Sequence, residues 1–206
     1  GKTLAAGILQ GLATAVSDGS YKDCIGTSGF ILRGANRVLG AIGDNVVPGN
    51  PEEQSSYRSE LAGISGVIAI VDAICKKYDI MDGSMTLALD GEQALRAANS
   101  DWPLSPTATD FDLIVDIRCK IRLLPITLKW QWIQGHQDDH VSFNELSGLA
   151  QDNVSADKLA KLRLQRCIQE GHIPTSQRFG NEGWSISLQG VKVSKLDYHR
   201  LYSTMW

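Results

Sequence analysis

Apolar and polar positions divide the chain into short elements of two different periods. Residues 12–18 (LATAVSD), 28–33 (SGFILR) and 37–42 (RVLGAI) are β-prone runs separated by Gly, Ser, Asp and Asn, which predicts an antiparallel meander. A helix is predicted from about Ser55 to Lys77, where Ile64, Val67, Ile68, Val71 and Cys75 recur at helical spacing. Asn50-Pro51-Glu52-Glu53 is a second candidate for its start, because Asn caps, Pro suits a first turn and Glu favours the positive helix end. Thr86–Asp90 (TLALD) is an apolar run without alternation, read as a buried strand, and a helical pattern to Ala98 follows it directly. Pro103 and Pro106 make residues 101–109 a loop, and Phe111–Leu123 returns to helical spacing until Pro125 ends it. Thr127–Ile133 (TLKWQWI) reads as another strand, and a polar stretch from Gly135 to Asn153 leads to a last helix, about Ser155 to Glu170.

The resulting order, βββ-α-β-α-α-β-α, implies an α/β fold with a mixed sheet and helices on both faces. After Gly171 the pattern changes to Trp184–Leu188, Gln189-Gly190 and Val191–Ser194, alternation around a two-residue turn that predicts a small hairpin.

Composition adds limits. With 43% hydrophobic and 21% charged residues, 20 Gly and 6 Pro, the chain is ordinary globular material. Its longest apolar runs, such as Gly66–Ile70, fall far below the roughly 18 to 20 residues of a membrane span, so the reading is a soluble protein. The first residue is Gly and no leader pattern follows, which reads as an excised domain or fragment of a larger parent. Cys24, Cys75, Cys119 and Cys167 are widely spaced, the pattern of small core residues in a reducing, intracellular compartment, cytoplasmic or nuclear. Residues 1–150 carry 12 Lys and Arg against 18 Asp and Glu, and residues 151–206 carry 8 against 5. There is no strong basic footprint for nucleic acid, which predicts weak, salt-sensitive binding to any such partner.

Four acids stand where acids are costly. Asp18 and Asp90 each end an apolar strand, and the carboxyl ends of adjacent strands are where open α/β sheets build their sites. Glu60 lies four residues before Ile64 on the buried stripe of its helix. Asp157 precedes Ala160, Leu164, Cys167 and Ile168 on the stripe of the last helix, so both helical acids are read as pointing inward near helix starts, where they also suit the helix dipole. Buried carboxylates without countercharge cost several kcal/mol each, roughly. Paired divalent ions with oxygen ligands, Mg²⁺ above all with Mn²⁺ as a substitute, are the natural solution, and a phosphoryl-hydrolysing site follows.

Asp18-Gly19-Ser20, Tyr57-Arg58-Ser59-Glu60-Leu61, Leu89-Asp90 before a helix, and Gly135-His136 followed by Asn153-Val-Ser-Ala-Asp157-Lys-Leu-Ala resemble the ribonuclease H family, especially the domains attached to retroelement reverse transcriptases. The resemblance covers about residues 12–170, leaving 1–11 as a lead-in and 171–206 as a C-terminal extension. It implies a five-stranded sheet, three strands antiparallel and two parallel, and cleavage of the RNA strand of RNA–DNA hybrids. Two metal ions would be held by Asp18, Glu60, Asp90 and Asp157, with Asp18 bridging them, Asp157 completing the one that activates water, and Glu60 and Asp90 holding the other. Gly19 and Ser20 resemble positions that approach a ribose 2′-hydroxyl, and His136 would handle a proton or help product depart. The chain departs from the family in its long spacing of 21 positions between His136 and Asp157, in Ser55, Ser56 and Tyr57 ahead of Glu60, and in an acidic stretch from Asp101 to Asp112 in place of a basic helix.

Other features carry less. His136, Asp138, Asp139 and His140 lack a second ligand pair at zinc spacing, and Gly1-Lys2-Thr3 lacks the upstream glycine and strand of a phosphate loop. Trp130 and Trp132 share a strand face and read as core. The rival function is a catalytically silent docking module within a reverse transcriptase or ribonucleoprotein. A transposase or proofreading exonuclease is excluded by the order of the acids.

Overall fold

A computed structural model of the chain describes residues 1–175, 179, 187–188 and 191–192. The predicted meander is β1 (Ala13–Lys22), β2 (Ile25–Arg33) and β3 (Leu39–Val46), each longer than its apolar run: β1 and β3 continue into polar C-terminal ends, and β2 starts earlier, at buried Ile25. Two further strands, β4 (Ser84–Leu89) and β5 (Thr127–Trp132), complete a five-stranded sheet in the order β3-β2-β1-β4-β5. The β1–β2 and β2–β3 pairs are antiparallel, and β1–β4 and β4–β5 are parallel.

The helices are α1 (Lys2–Leu9), α2 (Ser56–Lys77), α3 (Glu92–Asn99), α4 (Phe111–Leu123) and α5 (Gly148–Gln169). The two candidate starts of α2 are separate devices. Asn50 and Glu53 close a capping box on a single 3-10 turn, Pro51–Glu53, whereas Ser55 caps α2 itself by accepting the Arg58 N–H at 3.0 Å. The predicted stripe of α2 is fully buried and joins Leu61, Met85, Leu87, Leu89, Leu113 and Ile117 in the main core. Residues 2–9, read as a lead-in, supply Leu4 and Ile8 to the same core.

Two expectations are corrected. α5 begins at Gly148 rather than Ser155, capped by the Ser147 hydroxyl, and Ile168 stands out from its stripe at 39% exposure while Ala160, Leu164 and Cys167 are buried. Of the cysteines, Cys75 and Cys167 are buried, but Cys119 is half-buried and Cys24 is exposed in the β1–β2 turn with φ of 60°. All four are free thiols. In the C-terminal extension Ser187–Leu188 pairs antiparallel with Val191–Lys192, and the remainder of the predicted hairpin lies outside the described residues. No helix among the described residues is long and apolar enough to cross a membrane.

Candidate active site

Parallel pairing of β1 with β4 sets Val16 opposite Ala88, and continuing that register brings Asp18 level with Asp90. Asp90 follows the carboxyl end of β4, but Asp18 does not end its strand as expected, because β1 continues to Lys22 in its pairing with β2. The start of α2 is then pinned over this edge. Buried Gln54 accepts the Gly26 N–H at 3.1 Å and donates to the Gly49 carbonyl at 2.9 Å, and the Ser59 hydroxyl donates to the Ser20 carbonyl at 3.2 Å. Glu60, the next residue, is thereby laid against β1. Oxygen atoms of Asp18, Glu60 and Asp90 all lie within 4.8 Å of one another.

Gly19 is built into this cluster. Its N–H donates to Asp18 Oδ1 at 2.7 Å and to Glu60 Oε1 at 3.3 Å, and a Cβ there would sit 2.7 Å from the Glu60 backbone nitrogen. Only a residue without a side chain lets α2 approach this closely. Asn153 of α5 donates its side-chain amide to Asp90 Oδ2 at 3.4 Å. None of the three acids pairs with a Lys or Arg among the described residues, and Glu60 Oε2 is shut off from solvent without a hydrogen-bond partner.

The electrostatic result is that Asp18 and Glu60 resist ionisation. Burial, then the charges of Asp90 and Asp157, push Asp18 up to about 7, against the Gly19 N–H and a hydrogen bond with Glu60. Burial, then Asp18 and Asp90, hold Glu60 well above the ordinary glutamate range. Three oxygen donors at this separation, one with an unused buried lone pair, suit a hard divalent cation such as Mg²⁺ or Mn²⁺.

The other predicted residues are placed differently. Asp157 lies in mid-helix rather than near a helix start, outside the close triad; its Oδ2 pairs with Lys161 at 2.7 Å, and its side chain is 22% exposed. Its charge still reaches Asp18. His136 is exposed at φ of 51°, leading into the 3-10 turn Gln137–Asp139, and Asp138, Asp139 and His140 are exposed beside it. Ser20 is half-buried, with its carbonyl committed to Ser59. Trp130 packs partly into the core, but Trp132 is 54% exposed and its indole N–H donates to the Asp90 carbonyl at 2.9 Å.

A groove of about 690 Å³ is lined by Tyr57, Gln93, Arg96, Trp102, Thr109 and Arg118 among others. Tyr57 is one turn before Glu60, and Gln93 is three residues after Asp90. Trp102 is 82% exposed. The signal for this groove in the sequence was only a Trp in a Pro-rich loop, because its other walls come from three helices.

No protein-family model and no curated protein matches the chain. Solved structures do. LC11-RNase H1 in complex with an RNA/DNA hybrid superposes with a TM-score of 0.58 at 11% identity, covering 76% of this chain and 99% of that one. The N-terminal RNase H domain of a Mycobacterium tuberculosis protein gives 0.51 at 13% identity, covering 77% and 97%. The protease-reverse transcriptase of prototype foamy virus gives 0.50 at 17% identity, covering 73% of this chain and 20% of that one. With the sheet order and pairing described above, these likenesses settle the architecture. The chain folds as a ribonuclease H-like domain.

Proposed function

We propose that the chain is a divalent-metal-dependent endoribonuclease that hydrolyses the RNA strand of RNA–DNA hybrids, working as part of a larger reverse transcriptase. The observation that carries this reading is the triad of buried Asp18 with half-buried Glu60 and Asp90, gathered at a sheet edge with no ion-pair partner among the described residues. A docking module would gain nothing from carboxylates held at such a cost. The likeness to a nuclease crystallised with a hybrid, and to part of a viral reverse transcriptase, agrees with the substrate and the setting.

Asp18, Glu60 and Asp90, joined by Asp157, would hold two metal ions. Bound there, the metals would supply the positive charge that a phosphodiester needs as negative charge develops on it. The Gly19 N–H fixes the aim of Asp18 and Glu60. Ser20, next along β1, is the candidate to meet a ribose 2′-hydroxyl. The groove from Tyr57 to Trp102 offers an aromatic and cationic wall for the partner strand to lie on. His136, on its exposed turn, is the candidate to carry a proton to or from the leaving ribose oxygen.

The test is cleavage of labelled hybrid, duplex RNA and duplex DNA with Mg²⁺, Mn²⁺ or chelator. Cleavage of hybrid RNA to 3′-hydroxyl and 5′-phosphate ends is expected, with duplex DNA spared; cutting that persists in chelator overturns the reading. His136→Ala should slow turnover partially with the cleavage pattern intact. His140→Ala is its control, and a slow His140→Ala beside a fully active His136→Ala would reassign the proton carrier.

A further inference from the structure

Asp90 differs from Asp18 in how it is held. Asp18 lies within β1 and is gripped by the Gly19 N–H, whereas Asp90 comes one residue after β4 ends at Leu89, beyond the regular ladder. Three groups from elsewhere converge on it. The Trp132 indole, at the end of β5, donates to its backbone carbonyl at 2.9 Å. The Asn153 amide, on α5, donates to its Oδ2 at 3.4 Å. Gly135, in the loop after β5, lies so close that a Cβ there would stand 2.3 Å from Oδ2 and 3.2 Å from the carboxyl carbon.

α5 is itself locked at this point. Asp152, buried at 1% exposure, pairs with Arg33 at 2.8 Å and Arg37 at 2.7 Å, and Arg37 also donates to the Gly148 carbonyl at 2.6 Å. The helix is thus tied to the β2–β3 connection by one residue while the next, Asn153, reaches Asp90. Asn153 is 3% exposed and its Oδ1 has no partner, so its amide is oriented by Asp90 alone among the described residues.

We propose that Trp132, Gly135 and Asn153 form a cradle that aims the Asp90 carboxylate, and that they are positioning residues for the metal site. The proposal rests on the nuclease reading above. Gly135 is its most demanding member, since any side chain there must push the carboxylate aside without removing it. A displaced carboxylate remains a ligand, only a poorer one. Loss of an outer partner of this kind costs roughly 10- to 100-fold in metal affinity.

The experiment measures Mn²⁺ binding by calorimetry, and hybrid cleavage across rising Mn²⁺, on the whole 206-residue chain. Parent, Gly135→Ala, Trp132→Phe, Asn153→Ala and Asp90→Asn are compared, with thermal unfolding in chelator as the check on folding. Gly135→Ala should bind Mn²⁺ about 10- to 100-fold more weakly and regain parental turnover at saturating Mn²⁺, which Asp90→Asn should not. Trp132→Phe keeps the ring and loses only the N–H, and should weaken binding about 5-fold. It keeps the proposal testable if Gly135→Ala fails to fold. Parental Mn²⁺ affinity in folded Gly135→Ala, or in Trp132→Phe should the glycine variant not fold, overturns the cradle. So does a turnover defect that saturating metal leaves unchanged. A parent chain that neither binds Mn²⁺ nor cleaves hybrid overturns the nuclease reading instead.

Discussion

Two residues apart on α2, Arg58 and Glu60 belong to buried charge clusters of opposite design. Arg58 is fully buried and donates to Asp110 at 2.7 Å, to both oxygens of Asp112 at 3.0 and 3.1 Å, and to the Pro48 carbonyl at 2.6 Å. Lys192 adds a second cation 3.3 Å from Asp112. Two cations therefore face two carboxylates. Burial works against the charge on Arg58, but the hydrogen bonds and charges of Asp112 and Asp110 outweigh it and raise the guanidinium above its ordinary value. Glu60 instead shares its cluster with two further carboxylates, and none of the three is in an ion pair with a Lys or Arg among the described residues. In the first arrangement both carboxylates already have a cation, although Asp110 Oδ2 keeps no partner and burial still raises Asp110; in the second no carboxylate is in an ion pair among the described residues. Burial of charge is common to both, so burial alone does not mark a site; the missing countercharge does.

Removing one charge from each cluster should have opposite consequences. Asp18→Asn should abolish hybrid cleavage, a loss of at least roughly 10³-fold if the acid set holds the metals. In chelator at pH 8 it should also raise stability, because it deletes a buried like-charge contact. An active, folded Asp18→Asn protein places the chemistry elsewhere. Arg58→Met should instead cost about 3–5 kcal/mol in urea unfolding by leaving Asp110 and Asp112 uncompensated. A neutral result there would mean the acids take up protons and the cluster needs no guanidinium.

The acids of the site were legible because each interrupts an apolar pattern: Asp18 and Asp90 close apolar runs, although β1 itself continues past Asp18 to Lys22, and Glu60 extends a helical stripe. Arg58 also continues that stripe, three residues before Leu61, yet its partners lie 52 and 54 positions away and no local period points to them. In the acidic stretch from Asp101 to Asp112, Asp110 and Asp112 are buried against Arg58, a pairing that no local period announces. α5 was read as starting late because buried Asp152 and Asn153 are polar and break its apolar stripe. Their partners, Arg33, Arg37 and Asp90, are supplied by the sheet. α1 is short and starts without a side-chain cap, so Leu4 and Ile8 alone did not distinguish it from a lead-in.

The missing countercharge also fixes a pH dependence. Asp18 titrates near 3.8 when unfolded and at about 7 when folded. Below about pH 4 both states hold the proton. Between these values the unfolded chain ionises first, so stability falls as pH rises, by up to about 1.4 kcal/mol per unit. Glu60 is raised as well and acts in the same direction. The measurable quantity is the stability difference between parent and Asp18→Asn from pH 4 to 8 in chelator, which should widen against the parent across this window. Millimolar Mg²⁺ should narrow it at pH 8 and leave it unchanged at pH 4. A difference that stays flat in chelator contradicts the shared, unpaired state of Asp18 and Glu60.

The smallest effect belongs to the balanced cluster. Lys192 is 5% exposed, with its ammonium 3.3 Å from Asp112 Oδ2 and 4.2 Å above the Phe179 ring. It comes from the C-terminal extension, whose Thr175 carbonyl also accepts the Gly49 N–H at 3.2 Å just ahead of α2. Asp112 keeps both Arg58 hydrogen bonds without it. Lys192→Met retains the apolar stem and loses the charge, so it should cost only roughly 1–2 kcal/mol. Metal-saturated turnover should match the parent, because the triad is not touched. A loss as large as that of Arg58→Met would make Lys192 the principal countercharge and the extension a required part of the domain. No loss at all would mean that Arg58 alone balances the two aspartates, and that a single guanidinium is what separates a structural cluster from a reactive one on the same helix.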